Sequence, residues 1–169
     1  MILRAATDAD AEAVARIVNT YIRETTVSFT EIEKTVDQVM QEIAVRQAAG
    51  RPFLVAQTDE GVVGYATYDQ FRKGTGYGRT MEHTVMLASD ARGRGVGRAL
   101  MAALEDHAVT QEVGSLMAGI SGENTEAVTF HLALGYEQVG HVAQAGFKFG
   151  RWIDLILLQK RLSHGLDSR

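Results

Sequence analysis

Cysteine is absent from the 169 residues. The chain therefore has no disulfide, no thiolate nucleophile and no cysteine-held zinc, and it suits a reducing compartment. Proline occurs once, at Pro52, and no linker, repeat or low-complexity run divides the sequence. No apolar run approaches the ~20 residues of a membrane span. The opening residues, MILRAATDADAEAV, carry charges where a signal peptide would need an apolar stretch. A net charge of -4 offers no basic field to nucleic acid. These absences point to a cytoplasmic enzyme or binding domain with neither membrane nor nucleic acid as partner. Hydrophobic residues at 46% against 22% charged are enough for a core and argue against disorder. The length suits one domain, expected over 1–162, with 163–169 as a C-terminal tail.

The chain is organised around Arg79–Leu104, RTMEHTVMLASDARGRGVGRALMAAL. Met81, His83, Val85 and Leu87 alternate with Glu82, Thr84 and Met86, the period of a strand. Val96, Leu100, Ala103, Leu104, His107 and Ala108 then recur at helical spacing. Between them lies Arg92-Gly93-Arg94-Gly95-Val96-Gly97-Arg98. Glycines at alternate positions let the backbone turn sharply and approach a ligand closely. A turn opening a helix aims N–H groups and the positive dipole end at one point, which suits phosphate. On the residues alone two readings stand: a tight turn with a solvated basic face, or anion capture on a strand–loop–helix. A dinucleotide fingerprint fits poorly, because the loop reads G-x-G-x-G with no acidic residue at the expected offset. A P-loop would need a Gly-Lys-Ser/Thr ending, which is missing.

The remaining elements follow from capping and periodicity. Ile2–Ala6 reads as a strand. Thr7 and Asp10 form a capping box before a helix with Val14, Ile17, Val18, Tyr21 and Ile22 on one face. Val27–Thr30 breaks the pattern. Thr35 and Gln38 open a second helix, expected to bury Val36, Val39, Met40 and Ile43 and to stop at Gly50 and Pro52. Phe53–Gln57 and Val62–Tyr68 are strands joined across Asp59-Glu60-Gly61. Asp69–Gly78 is irregular, either a mobile excursion or the wall of a site. After the central stretch come a strand over Ser115–Ile120 and a short helix capped by Asn124 and ended by Gly135. Two closing strands span Tyr136–Ala143 and Phe149–Leu158. This order gives a mixed α/β layer fold with a central hairpin meander and at least one crossover helix that makes a parallel pair.

Arg92-x-x-Gly95-x-Gly97, after an apolar strand and before an amphipathic helix, resembles the pyrophosphate loop of the GCN5-related N-acetyltransferases (GNAT). The element order resembles theirs over nearly the whole chain. The resemblance implies a single-domain α/β fold, with a mixed, mostly antiparallel central sheet flanked by helices and a strand–loop–helix pyrophosphate site. It implies acetyl-CoA as co-substrate, with no metal, held by Arg92, Gly93, Arg94, Gly95, Val96, Gly97 and Arg98. It also implies that Val85, Met86 and Leu87 offer backbone N–H groups from a splayed strand, and that Asn124 bonds the pantetheine arm.

Acetyl transfer to an amine needs a base for the ammonium, a donor for the oxyanion and an acid for the leaving thiolate. Glu82 is the candidate base; the alternative on the residues alone is an exposed strand carboxylate. The run Tyr77-x-x-Thr80-Met81-Glu82-His83-Thr84-Val85 resembles T-V-E-H/N-S/T-V of the phosphinothricin and methionine-sulfoximine N-acetyltransferases, where the glutamate is the proposed general base. His131, seven residues after Asn124, is the candidate acid; a lone helix histidine is also commonly a packing residue. In that branch a histidine holds this position, as in His131-Leu132-Ala133-Leu134-Gly135-Tyr136. His83, His107 and His141 show no metal-ligand spacing.

The segment Thr25–Phe29 resembles one that lines the acceptor pocket in the branch, which makes Phe29 a wall; Tyr77 and Thr80 fall on the substrate side by the same resemblance. Arg72, after Phe71, matches a branch arginine and suits a substrate carboxylate. A second branch arginine is replaced by Gly74, which removes an anchor for phosphinothricin and favours methionine sulfoximine or sulfone. Gly146–Leu155 resembles the branch run G-x-K-F/H-G-x-W-x-D. Trp152 is expected in the core or at a homodimer interface, and Asp154 is expected to pair with Arg151 or Lys148. The function implied is N-acetylation of a small amino-acid-like amine. The alternatives are a non-catalytic acyl-CoA sensor and a protein or peptide N-acetyltransferase.

Overall fold

The computed structural model describes residues 1–162, so the tail expected over 163–169 lies outside the described residues. The strands are β1 (Ile2–Ala5), β2 (Phe53–Thr58), β3 (Gly61–Gln70), β4 (Thr80–Leu87), β5 (Ser115–Ser121), β6 (Glu137–Lys148) and β7 (Arg151–Arg161). The helices are α1 (Ala11–Glu24), α2 (Val36–Ala48), α3 (Val96–Thr110) and α4 (Thr125–Ala133). The strands form one sheet in the order β1-β2-β3-β4-β5-β7-β6. β4 and β5 run parallel, and the pairs β1–β2, β2–β3, β5–β7 and β6–β7 are antiparallel. The chain falls into two compact units, and each is assembled from three separate stretches of sequence. With segments interleaved in this way, the fold is one domain in the sequence sense.

The first unit comprises Met1–Asn19, Lys34–Asp69 and His83–Gln111. Asp10 organises its start. Its carboxylate takes both Arg4 Nη atoms, at 2.7 and 2.8 Å, and the Thr7 N–H at 2.8 Å. A 3-10 turn over Asp8–Asp10 precedes α1. The Thr35–Gln38 capping box forms as the sequence predicts, with Gln38 N–H donating to Thr35 Oγ1 and Thr35 N–H to Gln38 Oε1. Val36 does not join the core: it is the first helical residue and lies exposed, while Val39 and Ile43 are buried. Helix α3 buries Val96, Leu100, Leu104 and Ala108 along one stripe, with Met101 beside it. Each large side chain so buried contributes about 1.5–3 kcal/mol.

The second unit comprises Thr20–Glu33, Gln70–Glu82 and, of the described residues, 112–162. The parallel register here runs Thr80↔Ser115, Met81↔Leu116, Glu82↔Met117, and ends there although both strands continue. The closing hairpin differs from its expected bounds. β6 runs on to Lys148 and β7 begins at Arg151. Phe149 and Gly150 both have positive φ, 53° and 75°, and make the two-residue turn between them. A bulky aromatic in that backbone region is uncommon, so Phe149 reads as strand in the sequence. The stretch Asp69–Gly78 is also more ordered than expected: β3 extends to Gln70 and a 3-10 turn covers Thr75–Tyr77.

Candidate active site

The loop between β4 and α3 turns on Gly93 and Gly95, with φ of 69° and 80°. Gly95 is the N-cap of α3 in left-handed conformation, and no side chain caps the helix. The first N–H groups of α3 thus have no carbonyl within the helix to bond. A Cβ at either glycine would meet nothing within 4 Å, so the ground in front of the helix start is open. Arg92, Arg94 and Arg98 are exposed, and Arg94 and Arg98 have no ion-pair partner among the described residues. Open backbone, an uncapped dipole and uncompensated guanidinium charge fit a diphosphate. Val85, Met86 and Leu87, on β4 ahead of this loop, are half-buried.

Glu82 sits where the β4 pattern alternates. Met81 and His83 are buried and Glu82 points the other way. Its carboxylate has no hydrogen-bond or ion-pair partner among the described residues. By surface area Glu82 is exposed, as its alternative reading expected, yet partial desolvation by the protein around it raises its pKa above the ordinary 4.5. Opposite it β5 carries Gly119, where a Cβ would come 3.3 Å from Glu82 Oε2. β5 is bare where the carboxylate lies.

Asn124 caps α4, its Oδ1 accepting from Ala127 N–H at 3.2 Å. His131 is buried on the last turn of α4, edge-on to the rings of Phe130 and Tyr136. Its Nδ1 lies 2.7 Å from Ala127 O. A carbonyl can only accept, so Nδ1 carries a proton, and a proton can leave from Nε2 only when the ring is the imidazolium.

Phe29 is half-buried against Gly146. The loop after β3 is tied by Gln70, whose Nε2 donates to Arg72 O and Gly74 O, both at 2.7 Å. Phe71 N–H donates to Thr80 O. Arg72 is exposed, its guanidinium 5.5 Å from the Phe71 ring centre, with no carboxylate partner among the described residues. Tyr77 is exposed and Thr80 half-buried. Arg79 faces Glu112 at 3.7 Å. Within the second unit the fold thus holds Glu82, Thr80, Tyr77, Arg72, Phe29, Asn124 and His131, and the anion loop belongs to the first unit.

Residues 3–157 match the Acetyltransferase (GNAT) domain family. The chain belongs to the GNAT acetyltransferases. It is 35% identical, over 95% of its length and 94% of the relative's, to an L-methionine sulfoximine/L-methionine sulfone acetyltransferase of Pseudomonas aeruginosa. Two solved structures superpose with TM-scores of 0.93. One is a ribosomal-protein-alanine N-acetyltransferase from Brucella melitensis, 38% identical over 96% of this chain and 100% of that one. The other is a GNAT superfamily phosphinothricin acetyltransferase from Sinorhizobium meliloti in complex with AcCoA, 29% identical over 99% of this chain and 91% of that one. The chain is accordingly an N-acetyltransferase of mixed α/β fold, as its motifs imply.

In the closing run one expectation is narrowed and one is corrected. Trp152 is not core: it is 58% exposed and packs edge-on to the equally exposed Phe147, its partner in register. Asp154 pairs with neither Arg151 nor Lys148. Its carboxylate accepts from Gln144 N–H at 2.9 Å and from His141 Nε2 at 2.7 Å, which hold its pKa below the ordinary range. Arg151 instead forks onto Glu123 at 2.7 and 2.9 Å. Lys148 is the residue that sequence reasoning missed. It is fully buried and reaches back to the segment after α1. Its signal was a lysine two places from a glycine in the G-x-K run.

Proposed function

We propose that the protein acetylates the amino group of a small amino-acid-like substrate from acetyl-CoA by direct attack, with Glu82 as general base. The observation that carries this is the Glu82 carboxylate: exposed yet partly desolvated, unpaired among the described residues and facing bare backbone at Gly119. A raised pKa makes a carboxylate a better acceptor for the ammonium proton, taken directly or through a water. In this reading the loop Arg92–Arg98 and the start of α3 hold the diphosphate. The N–H groups of Val85, Met86 and Leu87 take the thioester oxygen and pantetheine amides, and Asn124 adds a bond to the pantetheine arm. His131, as imidazolium, gives the departing thiolate its proton through Nε2. Phe29, Tyr77 and Thr80 line the acceptor, and Arg72 takes its carboxylate. The single arginine of this loop, with Gly74 two places on, favours methionine sulfoximine or sulfone over phosphinothricin. The exposed Phe147–Trp152 pair supports assembly as a homodimer.

A second reading, acetylation of a protein N-terminus, has one observation in its favour, the name of the Brucella structure. One experiment separates the readings. The protein is incubated with acetyl-CoA and methionine sulfoximine, methionine sulfone, phosphinothricin or a peptide with N-terminal alanine, and free thiol is followed. Thiol release with the first two is expected; release with the peptide alone establishes the second reading, and release with none leaves a sensor of acyl-CoA. Glu82→Gln is expected to lower kcat/KM by about 100- to 10,000-fold with acetyl-CoA binding kept. Near wild-type activity in that variant removes Glu82 from the mechanism.

A further inference from the structure

Gly146 and Lys148 are two residues apart on β6, so their side-chain positions share one face of the hairpin. The Lys148 ammonium donates to three backbone carbonyls: Ile22 O at 2.6 Å, Thr25 O at 2.7 Å and Ser28 O at 2.7 Å. Three donors meet three acceptors, so the group is satisfied although the residue is 0% exposed. Ile22 O belongs to the last turn of α1, so the cation also sits at the negative end of that helix. No carboxylate is within ion-pair distance of Lys148 among the described residues. The held groups are all main chain, so what Lys148 fixes is the path of the backbone.

That path leads to Phe29. Residues 25–29 follow α1 with no helix or strand of their own. Their local ties include Thr25 N–H and Oγ1 to Tyr21 O and Val27 N–H to Thr25 Oγ1. Gly146 then receives the Phe29 ring face: a Cβ there would lie 2.7 Å from Cε2 and 2.8 Å from Cγ, inside contact distance. Lys148 thus anchors the segment by its carbonyls and Gly146 seats the ring at its end.

We propose that Gly146 and Lys148 are positioning residues for acceptor specificity, fixing residues 25–29 so that Phe29 stands as a rigid wall against the substrate side chain. The proposal rests on the reading of Phe29 as an acceptor wall. Neither residue touches substrate; both act through Phe29. Gly146 sets how far the ring stands back, and Lys148 sets whether it can give way.

The test measures KM for acetyl-CoA and kcat/KM for methionine sulfone, leucine and glycine as acceptors of graded size. Lys148→Met keeps the length and loses the charge. It is expected to lower kcat/KM for the preferred amine roughly 10- to 100-fold, to flatten the ranking among the three amines, and to leave KM for acetyl-CoA unchanged. Gly146→Ala, which adds one methyl and keeps the hairpin, is expected to shift the ranking towards the smaller amine. Adding Phe29→Leu, which makes room for that methyl, is expected to reverse the shift. Phe29→Ala alone tests the underlying reading: an unchanged ranking shows that Phe29 is no wall, and the proposal falls with it. A changed ranking in Phe29→Ala with none in Gly146→Ala or Lys148→Met overturns the proposal and leaves the wall standing. If Lys148→Met does not fold, the Gly146 and Phe29 variants decide alone.

Discussion

Gly95 allows a backbone effect to be told apart from a ligand effect. Its φ of 80° is costly for any L side chain, by roughly 1–2 kcal/mol. Nothing stands within 4 Å of where its Cβ would be, so without ligand a methyl at 95 adds strain and no clash. For a chain of this size that strain corresponds to a fall of roughly 2–8 °C in Tm, and Gly95→Ala should remain folded. Gly95→Val adds branching and should fall further while keeping its secondary structure by circular dichroism. If the open ground before α3 receives a diphosphate, the same side chains stand in its place. Acetyl-CoA affinity measured by titration calorimetry should then drop at least about tenfold for Ala, which is about 1.4 kcal/mol, and more for Val. Dephospho-CoA keeps the diphosphate and should show the same loss. A folded Gly95→Val protein that binds acetyl-CoA as the wild type does would refute the loop assignment, whatever its Tm.

Glu82 should give the acidic limb of the kcat/KM profile. Its pKa is raised by desolvation, so activity should rise with pH through a midpoint above 4.5, and Glu82→Gln should lack that limb. Because the ionised form is the one that desolvation disfavours, Glu82→Gln should also be no less stable than the wild type at pH 7, which urea unfolding checks. Asp10 has the opposite sign. Held at about 2 from the ordinary 3.8 by the Arg4 hydrogen bonds, its carboxylate stabilises the fold by about 2 kcal/mol at neutral pH, less what screening removes at the partly exposed Arg4. That contribution is complete above pH ~4 and disappears as pH falls through ~2; Asp10→Asn should lower stability at pH 7 and approach the wild type near pH 2. Trp152→Ser should convert a dimer to a monomer in sedimentation velocity, and a wild-type protein that sediments as a monomer throughout the micromolar range excludes the dimer.

What the sequence made legible is local. The Thr35–Gln38 box, the Asn124 cap and the α3 stripe are encoded within one or two turns of chain, and all three stand where periodicity and capping put them. The glycine loop was legible for the same reason. Val36 went wrong because the 3.6-residue period fixes a face and cannot say how far towards the helix end the core reaches. The closing hairpin went wrong because its turn uses Phe149 at positive φ. Its register also shifts between Val142 and Gly146, which decides which side chains meet. Asp154 therefore meets His141 and Gln144, neither its neighbour in sequence. Lys148 was beyond reach altogether: its acceptors are backbone carbonyls 120 to 126 residues away, and a carbonyl has no residue type to recognise.

The bare patch at Gly119 ties two positions together as a ratchet. A chain that lost the acid at 82 could refill 119 with alanine, whose methyl would then meet only Leu155 at ordinary contact distance, 3.6 Å. Once refilled, that strand would press on any carboxylate returning to 82, since a methyl there starts 3.3 Å from Oε2. With Glu82 as the base proposed above, retreat from acetyl transfer is one substitution deep and return is two, and a relative with a bulky residue on β5 at this place should be a binder that has stopped turning over.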